Sequence, residues 1–164
     1  MKQKLRHYEE SIIVSAPPEE IFAYIDDHKR FSSHMNKTSW MMGGGKMDVS
    51  VDEGRGQKIG SHIQMSGKAF GIKLFLDEAV MRYEPPRIKT WETVGTPKLL
   101  VIGFYKMSIK IKPIDSHSQL LISIDYDLPT TGVWLGKLFS GLYARWCVRQ
   151  MIKGVRYHFS QVEG

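Results

Sequence analysis

Between residues 101 and 128 apolar and polar side chains alternate with a period of two. Val101, Gly103, Tyr105, Met107, Ile109 and Ile111 fall on one side of an extended chain, and Lys106, Ser108, Lys110 and Lys112 fall on the other. Successive strand residues point to opposite faces, so this run predicts a strand with one buried and one wet face. Leu120, Ile122, Ile124, Tyr126 and Leu128 repeat the pattern against Ser123, Asp125 and Asp127, whose carboxylates are expected opposite the lysines of the preceding strand. Met47, Val49 and Val51 alternate likewise with Lys46, Asp48 and Ser50, and Gly43-Gly44-Gly45 predicts a turn back to a short run at Ser39-Trp40-Met41. Ile63 and Met65, then Phe70, Ile72, Leu74 and Leu76, flank Gly67-Lys68, read as the hairpin turn between two further strands. Glu84-Pro85-Pro86-Arg87 marks another turn, because proline cannot donate into a central ladder, and a strand over 88–93 follows it.

The two ends of the chain read differently. A short β-rich run at 11–15 stops at Ala16-Pro17-Pro18, and proline is tolerated in the first turn of a helix, where Glu19 and Glu20 suit the positive end of the dipole. A helix over 18–26 is expected, with Asp26-Asp27 stopping it and capping a second short helix that ends near His34. After Pro129 the period becomes 3.6 and persists to about Val162, a helix of roughly 45 Å. Gly141, Ala144, Val148, Ile152, Val155 and Phe159 form its expected core face, with small residues first so that the backbone approaches a sheet closely. Leu135, Leu138, Phe139, Leu142 and Trp146 form a second stripe that continues as Arg149, Lys153 and Arg156. One buried stripe suffices for an amphipathic helix, so the second must cover a cavity mouth, a partner subunit or a membrane surface.

The order is strand, two short helices, six or seven antiparallel strands and one long helix, which is an α+β arrangement in a single domain spanning 1–164. The chain has 164 residues, 42% of them hydrophobic, enough for one real core and too few for a second domain. Cys147 is the only cysteine, so no intramolecular disulfide forms, which favours a reducing compartment; the expected placement is cytoplasmic, with the second stripe allowing a peripheral position at the inner membrane face. The first ten residues lack an apolar signal region, and Lys137, Arg145 and Arg149 interrupt 133–152, the best stretch for membrane insertion. A net charge of +6 permits an anionic lipid, nucleic acid or an acidic ligand without selecting among them.

Three segments carry a family resemblance. Residues 12–25, Ile-Ile-Val-Ser-Ala-Pro-Pro-Glu-Glu-Ile-Phe-Ala-Tyr-Ile, residues 83–91, Tyr-Glu-Pro-Pro-Arg-Ile-Lys-Thr-Trp, and the final helix together resemble the START-like (SRPBCC) superfamily, which includes the Bet v 1-type proteins and the polyketide cyclase/dehydrase and lipid-transport families. A strand followed by A-P-x-E-x-[IV]-[FW] is the most specific of the three. The resemblance implies a helix-grip fold, a curved antiparallel sheet wrapped around the long C-terminal helix, with a hydrophobic cavity between them. It implies ligand binding or transport, with catalysis in only some branches.

Few residues on this frame carry candidate chemistry. The six histidines are scattered without ligand spacing, so no metal is expected, and Gly43-Gly44-Gly45-Lys46 lacks the phosphate-loop pattern, so no cofactor is expected either. Cys147, between Trp146 and Val148, reads as a packing residue rather than a nucleophile. His34, at the junction of the short helices and the sheet, is the candidate general acid/base. Met47, Met65, Phe70, Trp91, Tyr105, Met107 and Tyr126 are the expected cavity lining on the sheet, with Leu135, Phe139 and Leu142 added from the helix, because methionine adapts to irregular ligands and Tyr or Trp adds a polar tip to an apolar wall. The expected function is binding or transport of a hydrophobic small molecule, a lipid, polyketide or isoprenoid-like compound. A cyclase/dehydrase-type lyase or isomerase and a homodimeric or partner-binding module are the alternatives. Expected partners are that small molecule, an anionic membrane surface met transiently and a second copy in a homodimer; no nucleic-acid motif accompanies the basic residues.

Overall fold

The computed structural model describes residues 4–33 and 46–162. His34, the Ser39-Trp40-Met41 run and the Gly43-Gly44-Gly45 turn lie outside the described residues. Strand β1 (Arg6–Val14) is followed by α1 (Pro18–Asp26) and α2 (His28–Phe31), then by β2 (Lys46–Val51), β3 (His62–Ala69), β4 (Ile72–Glu84), β5 (Ile88–Lys98), β6 (Tyr105–Ile114) and β7 (His117–Tyr126), and α3 (Val133–Val162) ends the chain. The strands form one antiparallel sheet in the order β1-β7-β6-β5-β4-β3-β2. This is the expected helix-grip α+β architecture, and α1 and α3 run over the expected ranges.

Local chemistry accounts for the elements. Pro18 and the two glutamates open α1, while Ile21, Phe22, Tyr24 and Ile25 bury its inner face. The Asp27 carboxylate accepts the backbone N–H of Arg30 at 3.2 Å and so caps α2. Asp26 does something the sequence did not suggest: it is buried at the end of α1, receives the Lys89 ammonium at 2.7 Å and accepts the Tyr83 hydroxyl at 2.6 Å. On α3 the expected core face holds from Ala144 onward, with Ala144, Val148, Ile152, Val155 and Phe159 buried and Ser140, Cys147 and Met151 buried beside them, whereas Gly141, expected on that face, is exposed.

Three expectations are corrected. Gly67-Lys68 is not a turn, since β3 runs through both to Ala69 and the chain reverses at Phe70-Gly71, each with positive φ (51° and 74°) as a two-residue hairpin demands. Gly67 serves a close approach instead: it pairs with Met47, and a Cβ there would collide with the Lys46 carbonyl oxygen of β2. Strand β6 starts at Tyr105 and not at 101, because residues 99–104 leave the ladder and return through Asp127, whose carboxylate accepts the Phe104 N–H at 2.7 Å. The expected ladder of lysines against aspartates reduces to one pair, Lys106 opposite Asp125. Register sets Lys110 against Leu121 and Lys112 against Gln119, and Asp125 also takes the His7 imidazole at 2.6 Å.

The sheet geometry leaves room at its centre. Seven strands span roughly 29 Å at the usual spacing, whereas a helix is about 10 Å thick. Helix α3 packs on β1 and β7 and touches α1, so the concave faces of β3 to β6 need other cover. Register shifts in β4 at 75–77 and 80–82 bend that part of the sheet further.

Candidate functional site

Inward-facing residues follow from the period of two. On β4, Leu74, Leu76, Glu78 and Val80 point to the concave side; on β5, Lys89, Trp91 and Thr93 do; on β6, Tyr105, Met107 and Ile109 do. Between these side chains and Tyr143, Cys147 and Met151 of α3 lies an interior chamber with a free volume of about 30 Å³. A second chamber of about 60 Å³ lies between Met47, Ala69, Leu74, the 99–102 segment and Tyr143. Leu99, Ile102 and Tyr143 belong to both walls, so the chambers adjoin at these three side chains.

Most of the first chamber is apolar: Met65, Leu76, Trp91, Leu99, Ile102, Met107 and Ile124 form its walls. Among the described residues its one carboxylate is Glu78, whose residue is 1% exposed. Tyr105 donates its phenolic hydrogen to Glu78 Oε1, and Oε2 has no hydrogen-bond partner among the described residues. Burial pushes the Glu78 carboxyl up to about 7, against the Tyr105 hydrogen bond, which acts downwards. Thr93 holds Tyr105 in place where the β5–β6 ladder ends, its hydroxyl oxygen accepting the Tyr105 N–H at 3.2 Å. Across the chamber Cys147 is hydrogen-bonded to Tyr143, and burial pushes its thiol up to about 12. A thiol that stays protonated is a poor nucleophile, which agrees with a packing role.

The sequence-derived lining residues divide into three groups. Met65, Trp91, Tyr105 and Met107 meet in the first chamber, and Met47 lines the second. Tyr126 is buried on the concave face under the small residues of α3, near Gly141, and lines neither chamber. Phe70 sits at the β3–β4 hairpin tip, 73% exposed at the rim of the second chamber. Leu135 is half-buried, whereas Phe139 and Leu142 point outward with Trp134 and Leu138; Leu138 is 64% exposed. Leu138, Phe139 and Leu142 of the second stripe therefore face away from the interior, while Trp146 is partly buried against the core. Sequence reasoning missed Glu78, Tyr143 and the 99–102 segment. Glu78 carried a signal, being a charged residue two positions beyond Leu76 in an apolar register.

A second buried charged cluster lies below the chambers. The Asp26–Lys89 pair is closed by Tyr83, and Lys89 is fully buried, with burial drawing its ammonium below the usual range. His28, 1% exposed, stands edge-on to the Trp91 ring at 4.8 Å, with both ring nitrogens unpartnered among the described residues. Burial, reinforced by the nearby Lys89 charge, holds its imidazole well below the usual range, so it is neutral. Among the described residues no helix is long and apolar enough to cross a membrane.

A strongly bent sheet gripping one long helix, with an apolar chamber between them and Glu78 in its wall, defines a helix-grip domain of the hydrophobic-cavity class. The chain belongs to the polyketide cyclase/dehydrase and lipid transport family, whose pattern matches residues 6–156. No curated protein matches it by sequence. Among solved structures it is similar to TTHA0849 from Thermus thermophilus, at 15% identity and a TM-score of 0.67, covering 97% of this chain and 100% of that one. It is also similar to a norcoclaurine synthase point mutant from Thalictrum in complex with a transition-state analogue, at 10% identity and a TM-score of 0.66, with 98% and 97% covered. The di-domain ARO/CYC protein StfQ of the steffimycin biosynthetic pathway gives a TM-score of 0.71 at 9% identity, covering 98% of this chain and 53% of StfQ. At these identities the likenesses establish the fold.

Proposed function

We propose that this domain binds a hydrophobic small molecule, of lipid, polyketide or isoprenoid-like character, in the chambers between the sheet and α3. The observation that carries the reading is the apolar chamber on the concave face, which family membership supports. At about 30 and 60 Å³ the chambers hold a few waters, so a larger ligand enters by displacing their walls. Those walls suit displacement: Met47, Met65, Met107 and Met151 are unbranched and adapt their shape, and Leu99 to Ile102 lie in a segment outside the ladder. Native mass spectrometry of the protein from a lipid-containing host, followed by denaturing extraction, tests this. A stoichiometric apolar adduct is expected. Failure to retain any apolar compound, including medium-chain and aromatic ones supplied in excess, would remove the reading.

The buried Glu78–Tyr105 pair favours a second reading of the same chamber, an enzyme of the cyclase/dehydrase type. A carboxyl group poised near neutrality inside an apolar wall can take and return a proton, while the chamber holds a reactive chain folded.

The outward stripe of α3 supports transient docking on an anionic membrane from the cytoplasmic side. Trp134, Leu138, Phe139 and Leu142 are exposed, and Arg145, Arg149, Lys153 and Arg156 continue the same side of the helix along a groove beside β1. Apolar side chains dipping into lipid while cations meet headgroups is the interfacial-helix arrangement.

A further inference from the structure

An interior built only to exclude water would carry leucine or methionine at position 78, as it does at Leu76 two residues earlier on the same face. Instead it carries a carboxyl group, with one oxygen satisfied and the other not. Tyr105 occupies Oε1 and thereby fixes the plane of the group; Oε2 remains an acceptor in the wall of the chamber, without a partner among the described residues. An unsatisfied buried acceptor lowers stability, and a ligand supplying a donor would relieve that penalty on binding. Tyr143 and Cys147 are bonded to each other, and among the described residues of the wall Glu78 Oε2 is the one buried polar side-chain atom without a partner.

We propose that Glu78 Oε2 is the polar recognition point of the cavity, accepting, in the ionised carboxylate, a hydrogen bond from a single O–H or N–H group on an otherwise apolar ligand, with Tyr105 as the positioning residue. The inference rests on the reading of the chambers as a ligand site. It narrows the ligand class to alcohols, phenols and amines. Where Glu78 is ionised it also disfavours free carboxylic acids, whose anion would lie against a second carboxylate with no cation among the described residues of the chamber wall. Selectivity of this kind is steep, because a site built around a polar group rejects an isostere that leaves that group unpaired.

Phenol and toluene test this, since they share a shape and differ by a hydroxyl for a methyl. Each is titrated at pH 8, where Glu78 is ionised, into isotopically labelled full-length protein and into the Glu78→Met/Tyr105→Phe variant, with two-dimensional NMR reporting the dissociation constants. Replacing both partners by apolar groups of similar size leaves no orphaned hydroxyl, so the variant is expected to fold. The affinity ratio of phenol over toluene is expected to fall about tenfold or more in the variant, which still binds toluene. Benzoate is expected to bind the wild type more weakly than phenol. An unchanged phenol-to-toluene ratio, with both probes bound, overturns the role of Glu78 and leaves the cavity intact. Absence of binding by both probes in both proteins removes the cavity reading, and this inference with it. If the double variant does not fold, the side-chain carboxyl ¹³C resonance of Glu78 in the wild type decides: it is expected to move with phenol and not with toluene, and an equal response to both overturns the proposal.

Discussion

Replacing Glu78 by glutamine should make the protein more stable at alkaline pH and leave it nearly unchanged at acid pH. The carboxyl group is 1% exposed and titrates at about 7 in the folded chain, against 4.5 when free. The groups facing it are Tyr105 from β6, which donates to it, Lys89 from β5, which pulls its titration down, Asp77 beside it on β4, which pushes it up, and Cys147 from α3, which remains a neutral thiol. Because the folded value lies above the unfolded one, the folded state binds the proton more tightly. Stability from this group is therefore fully present below about 4.5 and is lost as pH rises through about 7. The gap of about two and a half pH units corresponds to about 3 kcal/mol, lost at no more than about 1.4 kcal/mol per pH unit. Glutamine keeps an acceptor for Tyr105 and cannot ionise. Urea unfolding of both proteins at pH 5, 6, 7 and 8 isolates the effect, since every other titrating group is common to the two. The variant should exceed the wild type by about 3 kcal/mol at pH 8 and by less than about 1 kcal/mol at pH 5. A difference independent of pH would refute the reasoning, and so would one of the opposite sign.

Asp26→Ala would leave the Lys89 ammonium buried without its partner and should cost about 3–5 kcal/mol in denaturant unfolding, whereas Asp26→Leu/Lys89→Met should recover most of that loss. His28 works in the sense opposite to Glu78: its folded value lies below the unfolded one, so stability is lost as pH falls below about 6.5, and His28→Phe should flatten the acid limb of the thermal stability profile between pH 7 and 5. Leu138→Ser/Leu142→Ser should leave the melting temperature within a few degrees of the wild type, as both side chains are more than half exposed, yet abolish cosedimentation with anionic vesicles. If the wild type binds neither anionic nor neutral vesicles, docking is ruled out, and a dimer that the same substitutions dissociate would assign the stripe to a second copy of the chain.

Most of the architecture was legible because it depends on periodicity and punctuation. The period of two over β6 and β7, the 3.6 period of α3 and the Ala16-Pro17-Pro18 boundary are local signals, and each marks an element that the structure contains. The errors arose where a residue answers to a distant neighbour. Gly67 looks like a turn in one dimension; its missing side chain makes room for β2, which no local pattern reveals. Alternation continues through Val101 and Gly103, but the 99–104 segment leaves the sheet because Asp127 supplies the hydrogen bonds the ladder would have made. The candidate lining was legible on the sheet, where inward parity is fixed by pairing, and poorly legible on α3. A wheel shows two apolar stripes but does not say which one the sheet takes, so Leu135, Phe139 and Leu142 were assigned to a surface that the structure turns outward or leaves half-covered.

Buried polar groups separate what holds this fold together from what it does. Asp26 and Glu78 are both carboxylates inside an apolar domain, and both accept a tyrosine hydroxyl. They differ in the second oxygen. At Asp26 it receives the Lys89 ammonium, so the pair is satisfied and locks the end of α1 to β5. Removing either partner would harm folding, and nothing is left over for a ligand. At Glu78 the second oxygen has no partner among the described residues, in a wall that holds methionine, leucine, isoleucine and tryptophan and is bordered by Leu99 and Ile102. A folded domain that keeps such a group sacrifices stability at neutral pH, and a hydrophobic side chain would recover it. His28 shows that an unpaired buried group is not enough by itself: its nitrogens also lack partners among the described residues, but it packs against Trp91 and borders a polar hollow with Asp27, Lys29, Arg55 and Gln57, apart from both chambers. What distinguishes Glu78 is the coincidence of an unmet hydrogen bond with apolar space, and on that coincidence rests the reading of the chamber as a site.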